Sequence, residues 1–387
     1  MDMKYILCGA LIDGTGAQPQ RDMVLAVEGE RIAAVLPRAQ FHADGAEVLD
    51  LSGCTVTPGF VDCHDHFCLD AGDEAAQCAQ GDIALAVHAA ANAGRILRSG
   101  ITTMRDCGER AYIDVALKAA IDSGDLPGPR LVTSGWPIMR TGGHGFFLGR
   151  EADGPWEVRK AVREQLKAGV DMIKLIPSGG MSTKGSSPVA LEMTREEIEA
   201  AIDEAHRGGR KIAIHVHGGP AVRICIEAGA DSIEHGLLFT DEDMELLAQR
   251  GTYLVSTGGL TSVVLSDPSV PEFYRKKVED SYRRGRRNLQ NAKRLGAKVA
   301  CGNDTNHGRM DLEIKVLVDG GFTPLEAITC ATRNGAQLCG LLDDVGTLEQ
   351  GKYADLLAFS ADPLEDLDAL AAPCLVMKGG EIVSRRP

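Results

Sequence analysis

The sequence predicts an α/β protein: a (β/α)8 TIM barrel with a small β-sandwich domain built from both chain termini. Three observations lead there. Eight short β-branched runs recur through the middle of the 387-residue chain, most of them followed by a helical pattern. Both ends are instead made of short strand-like runs punctuated by Gly, Asp and Pro. No Gly-x-Gly-x-x-Gly follows the first run of the middle, which sets aside a doubly wound open sheet.

The elements follow in order. Residues 1–57 hold "KYILCGALIDG", "DMVLAVEGERIAAVLP" and "AEVLDLSGCTVTPG", the first part of the small β domain. Residues 58–340 hold the barrel, 283 residues where about 250 is typical. Its eight runs are "TPGFVDCHDH", "GITTMRD", "PRLVTSG", "DMIKLIP", "KIAIHVHG", "DSIEHG", "TYLVSTG" and "AKVACGND". Between the fourth and fifth, "TREEIEAAIDEAHRGG" reads as a helix with a Thr-x-x-Glu capping box and a glycine stop. Residues 341–387 return to the small domain with "GKYADLLAFSADP" and "CLVMKGGEIVS".

Composition narrows the class. Hydrophobic content of 44% and charged content of 25% are ordinary for a globular protein. A net charge of −14 argues against nucleic acid as partner, since phosphate binding needs a basic surface. No apolar run approaches the roughly 20 residues that span a bilayer. The first residues, "MDMKYILCGALIDGTG", lack a basic leader and a small-residue cleavage site, so a cytoplasmic protein is expected. The 11 cysteines are odd in number and never spaced Cys-x-x-Cys; they are expected to be reduced and packed as small apolar groups. The expected partner is a small-molecule substrate, with a homo-oligomer permitted. The basic stretch 282–296 reads as the solvated face of an outer helix.

In such barrels chemistry sits at the C-terminal ends of the strands. Those ends carry His64 and His66, Lys174, His215 and His217, His235 and Asp304, so five of the 10 histidines fall there. Residues i and i+2 of a strand share a face, so His64 and His66 project together and Asp65 points away. Paired imidazoles suit a transition metal; on this motif alone a chance pair at a strand end reads equally well. His215 and His217 share a face in the same way. Lys174 stands within an apolar run, where an ammonium is costly and tends to lose its proton. A neutral amine there can take up carbon dioxide as a carbamate, an anionic bidentate oxygen ligand. A snorkelling or carboxylate-paired lysine is the alternative.

With these residues in hand the chain resembles the amidohydrolase superfamily from end to end. The resemblance rests on "HDH" after "PGFVD", Lys174 in "IKLIPSGG", His215 in "AIHVHG", His235 in "SIEHG", Asp304 in "CGNDT" and the ending "ATRNGAQLCGLLDDVGTLEQGKYADLLAF". The set is similar to the binuclear subtype with a carboxylated lysine. "TGGHG" and "IEHG" draw it toward the prolidase and Xaa-Arg dipeptidase-like branch. The resemblance implies two divalent ions, with zinc the metal that suits the ligands and manganese, iron or cobalt as alternatives, and carbon dioxide held as a carbamate on Lys174. His64, His66, Lys174 and Asp304 would hold the more buried ion, and Lys174, His215 and His235 the other.

The implied activity is hydrolysis of an amide or peptide bond in a dipeptide or N-acyl amino acid by a metal-bridged hydroxide, with Asp304 as general base and then acid. His144, in a glycine-flanked loop after strand three, is a candidate donor to the carbonyl oxygen; packing in the loop is the equal alternative. His217 and His307 are candidate substrate contacts. Three rival functions remain: a mononuclear deaminase or imidazolone-type ring hydrolase, which usually lacks the strand-four lysine; a lactone or organophosphate ester hydrolase; and a catalytically inactive scaffold.

Overall fold

The computed structural model describes residues 3–42 and 45–386. Barrel strands one to three, Phe60–Asp65, Ile101–Asp106 and Arg130–Val132, form one parallel sheet. Strands four to eight, Met172–Ile176, Lys211–Val216, Ser232–His235, Tyr253–Ser256 and Val299–Cys301, form a second. Hydrogen bonds cross both seams. Asp171 and Met172 N–H groups donate to Thr133 O at 2.9 and 3.0 Å, and Asp304 N–H donates to His64 O at 2.7 Å. The eight predicted runs are thus the eight strands of a (β/α)8 arrangement, each buried almost throughout because helices cover one side and packed side chains fill the other.

One feature was not legible in the pattern. The connection after strand three adds two short strands, Ile138–Met139 and Arg150–Glu151, on the edge of strand four. They are two residues long, too short for any periodicity, and they anchor the loop that carries His144.

Both termini build the small β domain, a seven-stranded sheet made of Met3–Leu11, Gln20–Glu28, Arg31–Pro37, Glu47–Pro58, Leu356–Phe359, Leu375–Lys378 and Glu381–Arg385. The sheet curls back on itself. Ile32 N–H donates to Lys352 O (2.9 Å), Gly351 N–H to Ile32 O and Ala354 N–H to Glu30 O (both 2.8 Å), which ties its third strand to the segment entering its fifth. Leu25, Val27, Ile32, Leu49, Leu356 and Met377 share the enclosed apolar core. Only Gly59 separates Glu47–Pro58 from the first barrel strand, so the small domain directly anchors the strand that carries His64.

The outer helices start and stop as their sequences predict. Thr194 caps Arg195–Arg207, with Glu197 completing the capping box and Gly208 at its end. Arg283, Arg284, Arg286 and Arg287 are exposed on the helix Glu272–Leu295, as expected of a solvated face. Among the described residues all 11 cysteines are free, and none but Cys54, Cys339 and Cys374 escapes full burial. No helix among them is long and apolar enough to cross a membrane.

The seam between strands eight and one is tight. A Cβ on Gly302 would lie 2.5 Å from His64 Cβ and 3.0 Å from His64 N. Gly302→Ala is therefore expected to cost about 1–3 kcal/mol in urea denaturation, because backbone must shift to admit the methyl. A change below about 0.5 kcal/mol would contradict this packing.

Candidate active site

The strand ends converge as the alternation requires. His64, His66, His144, Lys174, His215, His217, His235 and Asp304 all line one cavity. His307 does not line it. Its Nδ1 lies 2.8 Å from Asp65 Oδ2 and its side chain is buried, so it faces the carboxylate behind the cavity, and the expected substrate contact is corrected accordingly. Asp65 points away from the histidine pair, as predicted, and accepts from the N–H groups of His66 and Thr305.

Hydrogen bonds fix which imidazole nitrogens carry lone pairs. His64 Nδ1 is 2.8 Å from Glu234 Oε2, and His66 Nδ1 is 2.9 Å from Gly108 O. A carbonyl or ionised carboxylate can only accept, so both Nδ1 atoms donate and both Nε2 atoms are bare. The bare atoms face Asp304 Oδ1 at 3.4 and 3.9 Å. His215 Nε2 lies 3.4 Å from Gly179 O, which leaves its Nδ1 bare, 2.8 Å from His235 Nε2. His235 Nδ1 in turn sits 2.9 Å from Thr257 Oγ1. Two groups of candidate metal-binding side chains converge here, His64–His66–Asp304 and His215–His217–His235, each offering one nitrogen or oxygen per residue within 4.8 Å of the others. Imidazoles oriented by a carboxylate or carbonyl on the far nitrogen are the usual setting of a metal ligand. His217 and His215 both belong to the second set, and the ring of His217 stacks on that of His235 at 4.6 Å.

Two of these positions hold a strained backbone. His235 has φ 73° and Asp304 φ 50°, followed by Thr305 at 71°. A side chain in this left-handed region costs on the order of 1 kcal/mol or more and persists where surrounding bonds over-determine it. Here the surrounding bonds are those from Asp304 N–H to His64 O and from Thr305 N–H to Asp65.

Burial sets the charge state. It pushes His66 down to about 4 and His144 and His217 down to about 3, and lowers His64, His215 and His235 well below the ordinary imidazole value. The six rings are neutral at pH 7. Burial, then the nearby Glu74 carboxylate, raises Asp304 to about 8. Lys174 Nζ lies among these groups, buried and without any hydrogen-bond partner.

The donor set and its scaffold can be set beside known proteins. Residues 55–383 match the model of the amidohydrolase family. The chain belongs to that family. This amidohydrolase is 32% identical to a Xaa-Pro dipeptidase solved with methionine bound in its active site; the superposition covers 98% of this chain and 99% of that one, with a TM-score of 0.91. It is 26% identical to a prolidase solved with N-methylphosphonate-L-proline, over 99% of this chain and all of that one, also with a TM-score of 0.91. Ochratoxinase of Aspergillus niger is 30% identical over 97% of this chain and 86% of its own length.

Several side chains of the amidohydrolase site escape sequence reasoning. Arg105 on strand two reaches Glu234 on strand six with Nη2 at 2.9 and 2.8 Å from the two carboxylate oxygens, and donates to Ser232 Oγ and Cys63 O. Glu234 also holds His64. The signal was present: an arginine in "TTMRD" and a glutamate in "SIEH", each isolated in an apolar strand like Lys174. Thr257 and Thr183 lie on connections without periodicity, Glu74 opens the short helix Glu74–Cys78, and Tyr274 lies in the first turn of the helix Glu272–Leu295. Thr183 Oγ1 sits 2.7 Å from His144 Nδ1 and so orients that ring at the cavity wall.

The Arg105–Glu234 pair is fully buried, so removing one charge strands the other. Glu234→Ala is expected to cost about 3–5 kcal/mol, and Arg105→Met/Glu234→Leu distinctly less, in urea denaturation. A cost below about 1 kcal/mol for the single variant would contradict the pairing.

Proposed function

We propose that this amidohydrolase is a metal-dependent hydrolase of an amide or peptide bond in a small substrate, a dipeptide or an N-acyl amino acid. The observation that carries the reading is Lys174: a buried amine with no hydrogen-bond partner among the described residues, in a cavity lined by six neutral imidazoles and Asp304. An ammonium is costly there, whereas a carbamate on Lys174 would supply an anionic oxygen ligand for a divalent ion. His64, His66, Lys174 and Asp304 would hold one divalent ion and Lys174, His215 and His235 the second. The donor set, imidazole and carboxylate oxygen without thiolate, suits zinc, manganese, iron or cobalt. Bound ions supply an ionised water at neutral pH and polarise the scissile carbonyl.

The chain's own residues do the rest. Asp304 takes the proton of the attacking water and returns it to the leaving amine. In the metal-free site burial favours the protonated form of its carboxyl. His144 is held by Thr183 beside His215, with ring centroids 4.6 Å apart, and is the side chain best sited to donate to the developing oxyanion. The lysine speaks against a mononuclear deaminase, which has no use for a bridging carbamate.

The test is a turnover screen of dipeptides and N-acyl amino acids, before and after chelation and on Asp304→Asn. Hydrolysis is expected in the loaded enzyme, loss on chelation with recovery on zinc or manganese, and a fall in kcat of about 10²–10⁴ in the variant. Turnover confined to lactones, phosphate esters or ring-opening substrates would overturn the substrate class. A second expectation concerns the metal-free protein at pH 6.5. Asp304 raised to about 8 is protonated there, so the infrared difference spectrum against Asp304→Asn should show a protonated-carboxyl band. Since a raised carboxyl pKa keeps the proton up to its own value, the band should fade above pH 8; its absence at pH 6.5 would contradict the burial argument.

A further inference from the structure

The cavity holds one acidic side chain that the reaction does not use. Glu74 opens the short helix Glu74–Cys78 in the connection after strand one and lines the same cavity as Asp304 and Lys174. Its Oε2 accepts from Ser182 Oγ at 2.7 Å. Among the described residues no lysine, arginine or histidine lies within 4.0 Å of its carboxylate.

The group is built in place. Ser182 belongs to the loop after strand four, and Lys277 of the long helix Glu272–Leu295 fixes that loop by donating to Gly180 O, Met181 O and Thr183 O at 3.1, 3.2 and 3.0 Å. The loop that Lys277 pins thus holds the hydroxyl that donates to the carboxylate. The cavity that Glu74 lines also has an apolar part, with Leu69, Phe147, Met181, Leu260, Val264 and Val278 on the lining. A carboxylate in such surroundings lacks a counter-charge, and burial raises Glu74 to about 7.

We infer that Glu74 is a specificity residue that pairs with a cationic amine on the acyl side of the scissile bond. This rests on the reading of the site as an amide hydrolase and sharpens it: the substrate is a peptide with a free amine, next to an apolar side chain that the walls enclose. An ammonium brought beside Glu74 completes a charge-assisted pair in a water-poor cavity. A neutral N-acyl group at the same place leaves the carboxylate desolvated and unpaired, which is how a buried polar group rejects an analogue.

Two readouts separate the assignment from the activity. The first is calorimetric binding of L-leucinol, which has no amide bond, and of N-acetyl-L-leucinol, whose acetamide is checked by chromatography to stay intact through the titration, to the metal-loaded enzyme and to Glu74→Gln. Gln keeps the acceptor for Ser182 and removes the charge. L-Leucinol is expected to bind the wild type about 10- to 100-fold more tightly than its acetylated form, and the variant should abolish that ratio. Equal binding of the two by wild type, or an undiminished ratio in the variant, would overturn the inference.

The second readout is kcat/KM on Leu-Leu, N-acetyl-Leu-Leu and N-acetyl-Lys-Leu. Loss confined to Leu-Leu in Glu74→Gln assigns the α-ammonium, and loss confined to N-acetyl-Lys-Leu assigns a basic side chain. Equal loss on all three would make Glu74 structural and overturn its role in specificity. Absence of turnover on all three by wild type, with the leucinol ratio intact, would sink the hydrolysis reading while upholding the amine site.

Discussion

A lone amine buried among six imidazoles is the constraint around which the site is arranged. Lys174 has no hydrogen-bond partner, and its charge adds to the lowering of His64, His66, His144, His215, His217 and His235. Burial of each ring is the larger effect, and it keeps the nitrogens neutral and their lone pairs available. His215 Nδ1 and His235 Nε2, 2.8 Å apart, form an N–H···N hydrogen bond in which one neutral ring donates to the other. The positive φ values at His235 and Asp304 belong to the same economy: strain is tolerated where the ligand atoms must point inward.

Beneath that ring lies a second buried layer. Arg105 and Glu234 neutralise each other inside the barrel, and Glu234 spends its remaining capacity on His64. Asp62 on strand one accepts from Asn303, and Asp65 accepts from Thr305 and sits against His307. These contacts cross from strand one to the turn after strand eight, where hydrogen bonding between the two sheets is sparse. The support of the ligands and the joining of the barrel are thus the same set of bonds.

The strands were legible because burial on both sides demands β-branched runs, and the histidine pairs because period-two alternation puts His64 with His66 and His215 with His217. Lys174 stood out as a charge in an apolar strand. The same signal marked Arg105 and Glu234, but only the fold reveals that two opposite charges on strands two and six meet. Glu74 and Ser182 could not be read, since they come from connections whose position depends on packing and not on any repeat, and the helix that carries Tyr274 does not reveal in sequence that its buried face meets the cavity. His307 misled for the same reason: "NDTNHG" is a turn, and the turn aims the ring at Asp65 instead of the cavity.

The account turns on whether Lys174 joins two ions. The direct measurement is metal content per chain, by mass spectrometry, for protein purified without chelator, in wild type and Lys174→Ala side by side. About two equivalents in the wild type and a marked fall in the variant, with circular dichroism unchanged, is the predicted result. One equivalent or none in the wild type, unaffected by the substitution, would make Lys174 a structural lysine and contradict the binuclear centre.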